Sequence, residues 1–217
     1  MGYTGAVGTE LLNILAKDST FHKVVLIGRR KVEFDDPVLK TWEQRIVDFD
    51  HLSKHTEDFK NFDIGFCSFG SISSKVDNQT FRKIDHDYVI ESAMLAKEGG
   101  CEEYHYVSSV GANKNSMIFY LKTKGEIEES LARIRFKRLC VYRPKVLIAE
   151  RNDFRIAESL SKFFLKPVIV LAPTALSIPV LDVARAMINN SKKSSIEAIE
   201  IVDNATCHQL SKEEKKN

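Results

Sequence analysis

Several things are scarce in this chain of 217 residues, and each scarcity removes a class of protein. The four cysteines, Cys67, Cys101, Cys140 and Cys207, stand far apart and form no C-x-x-C, which excludes a paired-thiol redox motif and a cysteine-rich metal ribbon. Three of them lie in or beside apolar runs, where a free cysteine acts as a small buried hydrophobe, so a reducing cytoplasmic or nuclear setting is expected. No apolar run approaches the ~20 residues of a membrane span. No signal peptide is expected from these residues, and Met1-Gly2 lacks the Ser or Thr at position 6 of a myristoylation signal. Neither sign of charge dominates: 32 basic against 30 acidic residues leave +2, which gives no general pull towards nucleic acid or membrane. Internal repeats and low-complexity blocks are missing. His51 and His55, at i and i+4 of an expected short helix Leu52 to Phe59, could pair on a metal. No Cys, Glu or third His stands nearby at ligand spacing, so a solvated helix face is expected and no metal.

What is present is enough apolar material for a core, 43% of the residues, in alternating blocks. Apolar runs at Lys23 to Ile27, Arg45 to Asp48, Asp63 to Gly70, Tyr104 to Val107, Arg138 to Tyr142 and Ile196 to Val202 read as strands. Lys31 to Glu43 reads as charged and irregular. Helical spacing covers Gly5 to Leu15, the stripe Phe81, Ile84, Tyr88, Leu95, Ala96 stopped by Gly99-Gly100, then Met117 to Ile134, Ile156 to Leu165 and Val180 to Asn190. Strands alternating with long helices predict a doubly wound, Rossmann-type parallel sheet. The reading is one nucleotide-binding domain over residues 1–210, with a small substrate-side lobe over about 150–210 and a charged, solvated tail over 211–217.

The chain opens on Gly2-x-Thr4-Gly5-x-x-Gly8. Three glycines at this spacing allow a tight turn, close approach to a pyrophosphate and packing of the next helix, whose first amides face the anion. The cradle therefore comprises Gly2, Thr4, Gly5, Ala6, Val7 and Gly8. A NAD-preferring site wants an acid at the end of the second strand. This chain instead has Arg29 and Arg30, suited to a 2′-phosphate and hence to NADPH or NADP. Only Met1 precedes the loop where an apolar strand is expected to launch it, and without that strand the sheet is expected to have a gap, or an exposed edge, at its centre.

On the second long helix Tyr120, Lys124, Ile127, Leu131 and Ile134 step by 4, 3, 4 and 3 and form one inward stripe. A lysine one turn from a tyrosine favours the phenolate and makes the phenol a usable general acid or base. Ser108 and Ser109 end the preceding strand, where one hydroxyl could hold a substrate carbonyl. Strand alternation sends them to opposite faces, so only one can serve; Ser108 is favoured, with Ser109 the alternative.

Together Gly2 to Gly8, Ser108-Ser109 and Tyr120-Leu121-Lys122-Thr123-Lys124 resemble an atypical short-chain dehydrogenase/reductase. Further stretches across nearly the whole chain, among them Val25 to Arg30, Asp63 to Cys67, Asp85 to Val89 and Arg143-Pro144, are similar to the Tat-interacting oxidoreductase (Tat-interactive protein 2-like) family. The resemblance implies NADPH binding through the glycine loop, Arg29, Arg30, Phe69, Gly70, Tyr120, Lys124, Leu147 and Arg155. It also implies pro-apoptotic regulation and interference with importin-dependent nuclear import. Two departures stand out: Lys145 replaces a glycine after Arg-Pro, and Tyr3 is bulkier than the small residue usual inside the loop. Two functions follow: oxidoreduction of an unknown carbonyl or alcohol, or NADPH sensing with output through protein contacts.

Overall fold

The structure is a computed structural model that describes residues 1–71, 76–149 and 176–213. Eight strands and seven α-helices are labelled among them. Strands are β1 (Val25–Gly28), β2 (Glu43–Ile46), β3 (Ile64–Cys67), β4 (Glu103–Val107), β5 (Arg138–Arg143), β6 (Val146–Ile148), β7 (Ser177–Pro179) and β8 (Ile199–Asp203). Helices are α1 (Ala6–Leu15), α2 (Pro37–Lys40), α3 (Asn78–Arg82), α4 (Tyr88–Glu98), α5 (Phe119–Ile134), α6 (Val180–Ser191) and α7 (Asn204–Ser211).

Every strand pairing is parallel. β3, β4, β5 and β8 form one sheet in that order, β1 and β2 a second, and β6 and β7 a third. β4 and β5 are buried on both faces, which is why their sequences read as continuous apolar runs. Tyr104 and Tyr106 point to the side covered by α4 and α5, with Val89, Ala93, Ile127 and Leu131. Val107, Cys140, Tyr142 and Val202 point to the other side, against Val7, Leu11 and Leu15 of α1 and Val183, Ala184 and Met187 of α6. Helices on both faces of a parallel sheet are the doubly wound arrangement.

The expected central gap is present. Between β1 and β3 no strand pairing joins the described residues. Met1 supplies a single rung: its ammonium donates to the Phe66 carbonyl at 2.7 Å and its carbonyl accepts from the Ser68 amide at 3.2 Å.

Local chemistry moves several boundaries. Lys31 to Glu43 is not wholly irregular, because Asp36 accepts from the amides of Val38 and Leu39 and Pro37 starts the short α2. β2 begins two residues earlier than expected. Residues 49–59 form two 3-10 segments, Phe49–Lys54, kinked at the non-helical His51, and Thr56–Phe59, with His55 between them. The 78–98 helix carries a π turn at Lys83–Asp87. α7, started by Asp203 accepting from the Thr206 amide, had no apolar stripe conspicuous enough to announce it. The expected helix Ile156 to Leu165 lies outside the described residues, as do Pro167 and Pro173.

Candidate functional site

The glycine loop is built by close backbone approach. Gly2 has φ +77°, and a Cβ there would lie 2.6 Å from the Ser68 carbonyl carbon. A Cβ on Gly8 would lie 2.1 Å from the Gly2 carbonyl oxygen. Gly5 caps α1 without a side chain and donates to the Gly2 carbonyl at 3.0 Å. The first turn of α1 carries no acid, so the amides of Ala6, Val7 and Gly8 and the positive end of the helix are offered to an anion, with Thr4 exposed beside them. Tyr3 does not obstruct the loop. It is buried against Leu12, Leu26 and Leu39, its hydroxyl donates to the Arg30 carbonyl at 3.1 Å, and its ring occupies the space a side chain on Gly28 would need.

Arg29 and Arg30 follow β1 and are exposed. Arg30 lines a cavity of about 600 Å³ with Thr4, Thr9, Asn13, Lys31 and Phe34. Arg29 is not among its walls. The cavity thus adjoins the loop and carries two cationic side chains, Arg30 and Lys31, and one acid, Glu33, 3.6 Å from Lys31.

At the end of β3, Phe69 packs on Phe49 with ring centroids 5.1 Å apart, and Gly70 leads to Ser71. Lys124 is only 4% exposed. Its ammonium donates to the Tyr106 hydroxyl at 3.0 Å and stands 3.4 Å from Asp85 Oδ1. Burial pulls the ammonium down, yet Tyr106, Tyr120 and Asp85 outweigh it and hold it above the ordinary lysine range, fully charged. Burial pushes the Tyr106 hydroxyl up, Lys124 pulling against it. The Tyr120 ring lies one turn away, 6.0 Å from the ammonium and 5.8 Å from the Phe81 ring. The glycine loop, Phe69, Gly70, Lys124 and Tyr120 therefore gather at the carboxyl ends of the parallel strands.

The two serines part as strand alternation requires. Ser108 is buried on the α5 side, and its hydroxyl donates to Glu128 at 2.5 Å. Glu128 is held in turn by Arg143, whose Nε lies 3.0 Å from Oε1. Ser109 is more open, its hydroxyl 3.3 Å from the Val110 carbonyl. Leu147 is half-buried on β6, packed on the α1–α6 core rather than against Lys124. Lys145, in place of glycine, donates its amide to Asn204 Oδ1 at 2.9 Å. Arg155 lies outside the described residues.

Sequence reasoning missed Asp85, Tyr106, Glu128 and Arg143. Asp85 was findable: Phe81, Asp85, Tyr88 and Ser92 step by 4, 3 and 4, an inward stripe containing an acid. The histidine pair does not form. His51 bonds to Asp48 and His55 to Asp58, each at 2.8 Å. At the opposite, amino ends of the strands Glu103, His105 and Cys140 place ligand-type atoms within 4.8 Å of one another. The positive charge there comes from Arg138, 3.0 Å from Glu103 and 2.9 Å from Glu200.

A doubly wound parallel sheet with a glycine loop feeding the first helix defines a Rossmann-type α/β protein. Solved structures agree on that fold. MoeE5 in complex with UDP-glucuronic acid and NAD superposes with a TM-score of 0.68 at 14% identity, over 93% of this chain and 74% of its own. A UDP-galactose 4-epimerase gives 0.67 at 16%, over 93% and 74%. No protein-family model matches the chain. Protein HTATIP2 of Rattus norvegicus is 36% identical over 213 residues, 98% of this chain and 88% of the relative. A mitochondrial protein FMP52 of Debaryomyces hansenii is 35% identical over 153 residues, 70% of this chain and 67% of its own. The chain belongs to the Tat-interacting oxidoreductase family, that of Protein HTATIP2, an atypical short-chain dehydrogenase/reductase family. None of the helices in the described residues is long and apolar enough to cross a membrane.

Proposed function

We propose that the protein is an NADPH-dependent oxidoreductase acting on a carbonyl or alcohol. The observation that carries the reading is Lys124: an ammonium 4% exposed, one helical turn from Tyr120, at the carboxyl ends of the strands beside a glycine loop. A buried cation is costly unless it is used or neutralised, and the N–H donors of this one suit the hydroxyls of a nucleotide's sugar. Residues and group fit. The free amides of Ala6, Val7 and Gly8 suit a pyrophosphate, and Arg30 and Lys31 in the adjoining cavity suit a 2′-phosphate. MoeE5, of the same fold, was solved with NAD.

NADPH, when bound, supplies the hydride. Lys124 offers hydrogen bonds to the cofactor's ribose and stabilises negative charge on Tyr120. Tyr120 exchanges its phenolic proton with the substrate oxygen. Ser108 and Ser109 are the candidates for holding that oxygen. Ser108 donates to Glu128 and would have to exchange that bond, whereas Ser109 is closer to free. Four buried free cysteines favour a reducing compartment, cytoplasmic or nuclear, although the yeast relative is named as mitochondrial.

The test is a titration and a turnover assay. NADPH should bind more tightly than NADH, and the preference should vanish with Arg30→Ala. Tyr120→Phe should lower NADPH oxidation across a carbonyl panel by about 10² or more while sparing NADPH binding. Binding without turnover of any carbonyl would shift the reading to an NADPH sensor whose output is contact with protein partners, importins among them.

A further inference from the structure

We propose that Asp85 is a positioning residue that acts through Lys124, holding its ammonium and the Gly70–Ser71 turn as one unit; the inference rests on the cofactor reading above. Asp85 is fully buried in the π turn between α3 and α4. Its two carboxylate oxygens do different things. Oδ2 accepts from the Ser71 amide at 2.8 Å and from the Ser71 hydroxyl at 2.5 Å, which fixes the turn after β3. Among the described residues Oδ1 takes no hydrogen bond, and it stands 3.4 Å from the Lys124 ammonium. That distance gives the lysine a counter-charge without claiming one of its protons.

The proton count gives this meaning. An ammonium has three N–H donors, and the Tyr106 hydroxyl takes one. Two remain for the hydroxyls of a bound sugar, because the carboxylate neutralises without bonding. A hydrogen-bonded aspartate would have spent one of them. Gly70 belongs to the same device: a Cβ there would lie 3.3 Å from Asp85 Oδ1 and 3.9 Å from Lys124 Nζ, so the turn rests on the pair bare of side chain. The groups facing the ammonium are thus Tyr106 from β4, Tyr120 from its own helix and Asp85 from the π turn.

The experiment is a double-mutant cycle read by NADPH affinity: the unchanged protein, Asp85→Asn, Lys124→Met and the double variant. Asn keeps an acceptor for the Ser71 amide but removes the counter-charge of Lys124. Asp85→Asn should weaken NADPH about tenfold in the unchanged background and less than about twofold beside Lys124→Met. Removing the counter-charge lowers the pH at which Lys124 sheds its proton, so the alkaline fall in NADPH affinity should begin at a lower pH in Asp85→Asn than in the unchanged protein. Equal losses in both backgrounds with an unshifted pH profile would overturn the inference and leave the cofactor reading standing. No NADPH binding by the unchanged protein would overturn both. If Asp85→Asn does not fold, Ser71→Ala strips one donor from Oδ2 and leaves every charge in place. It should show the same dependence on Lys124, at about threefold, and equal losses there overturn the inference too.

Discussion

His105 shows how a single side chain can be read from its partners. It is fully buried. Its Nε2 lies 2.6 Å from Glu103, an acceptor, so Nε2 carries the proton, and Nδ1 accepts from the Tyr142 hydroxyl at 2.8 Å. The Tyr142 oxygen is then free to accept from Asn190 at 3.1 Å. Burial holds the imidazole below its ordinary 6.5, with Glu103 pulling it up and Arg138 down. Because the unfolded chain takes the proton first, stability is full above the ordinary value. It falls as pH drops through 6.5 and levels off once the folded histidine is itself protonated. The urea midpoint of the native protein should therefore be lower at pH 5 than at pH 7. His105→Gln should flatten that difference. An unchanged difference in the variant would assign the acid sensitivity elsewhere.

Among the elements, α1 and α6 are clamped at one end by Asp18 and Lys192, partners 174 positions apart. Burial raises the Asp18 carboxyl, but the bonds from Lys192 and Thr20 outweigh it and bring it to about 2. The stabilisation is present above the ordinary 3.8 and disappears as pH falls through about 2. Asp18→Asn should cost about 1–2 kcal/mol at pH 7 by urea denaturation, and nothing near pH 2. Much of this architecture was legible in the chain. Val25 to Gly28, Tyr104 to Val107 and Arg138 to Tyr142 announce buried parallel strands because both faces of each are covered. The Tyr120–Lys124 stripe announces itself because a charge interrupts an apolar period. Asp85 did not, because reading that helix for apolar spacing alone passes over an acid whose partner, Ser71, is 14 residues away. Glu128 was hidden for the same reason: nothing in the sequence links it to Ser108 or Arg143. The 3-10 turns at 49–59 were lost to side-chain bonds from Asp48 and Asp58 that compete with a regular helix.

For the whole molecule, the candidate site straddles a division in the sheet. Arg30 follows β1, Gly70 and Lys124 belong to the β3–β4–β5–β8 side, and α1 with its glycine loop lies between them, held to β3 by Met1 and Ser68. The division has a signature in amide exchange with heavy water. A strand residue turns its N–H and C=O to the same edge. Phe66 gives its carbonyl to Met1, so its amide faces the division, whereas Cys67 lies across from Tyr106 and turns its amide to β4. A continuous sheet protects its middle best. Here the order should be inverted along one strand, with Ile64 and Phe66 exchanging tens of times faster than Gly65 and Cys67. Deuterium would enter this sheet at its centre before it reached the neighbouring strand.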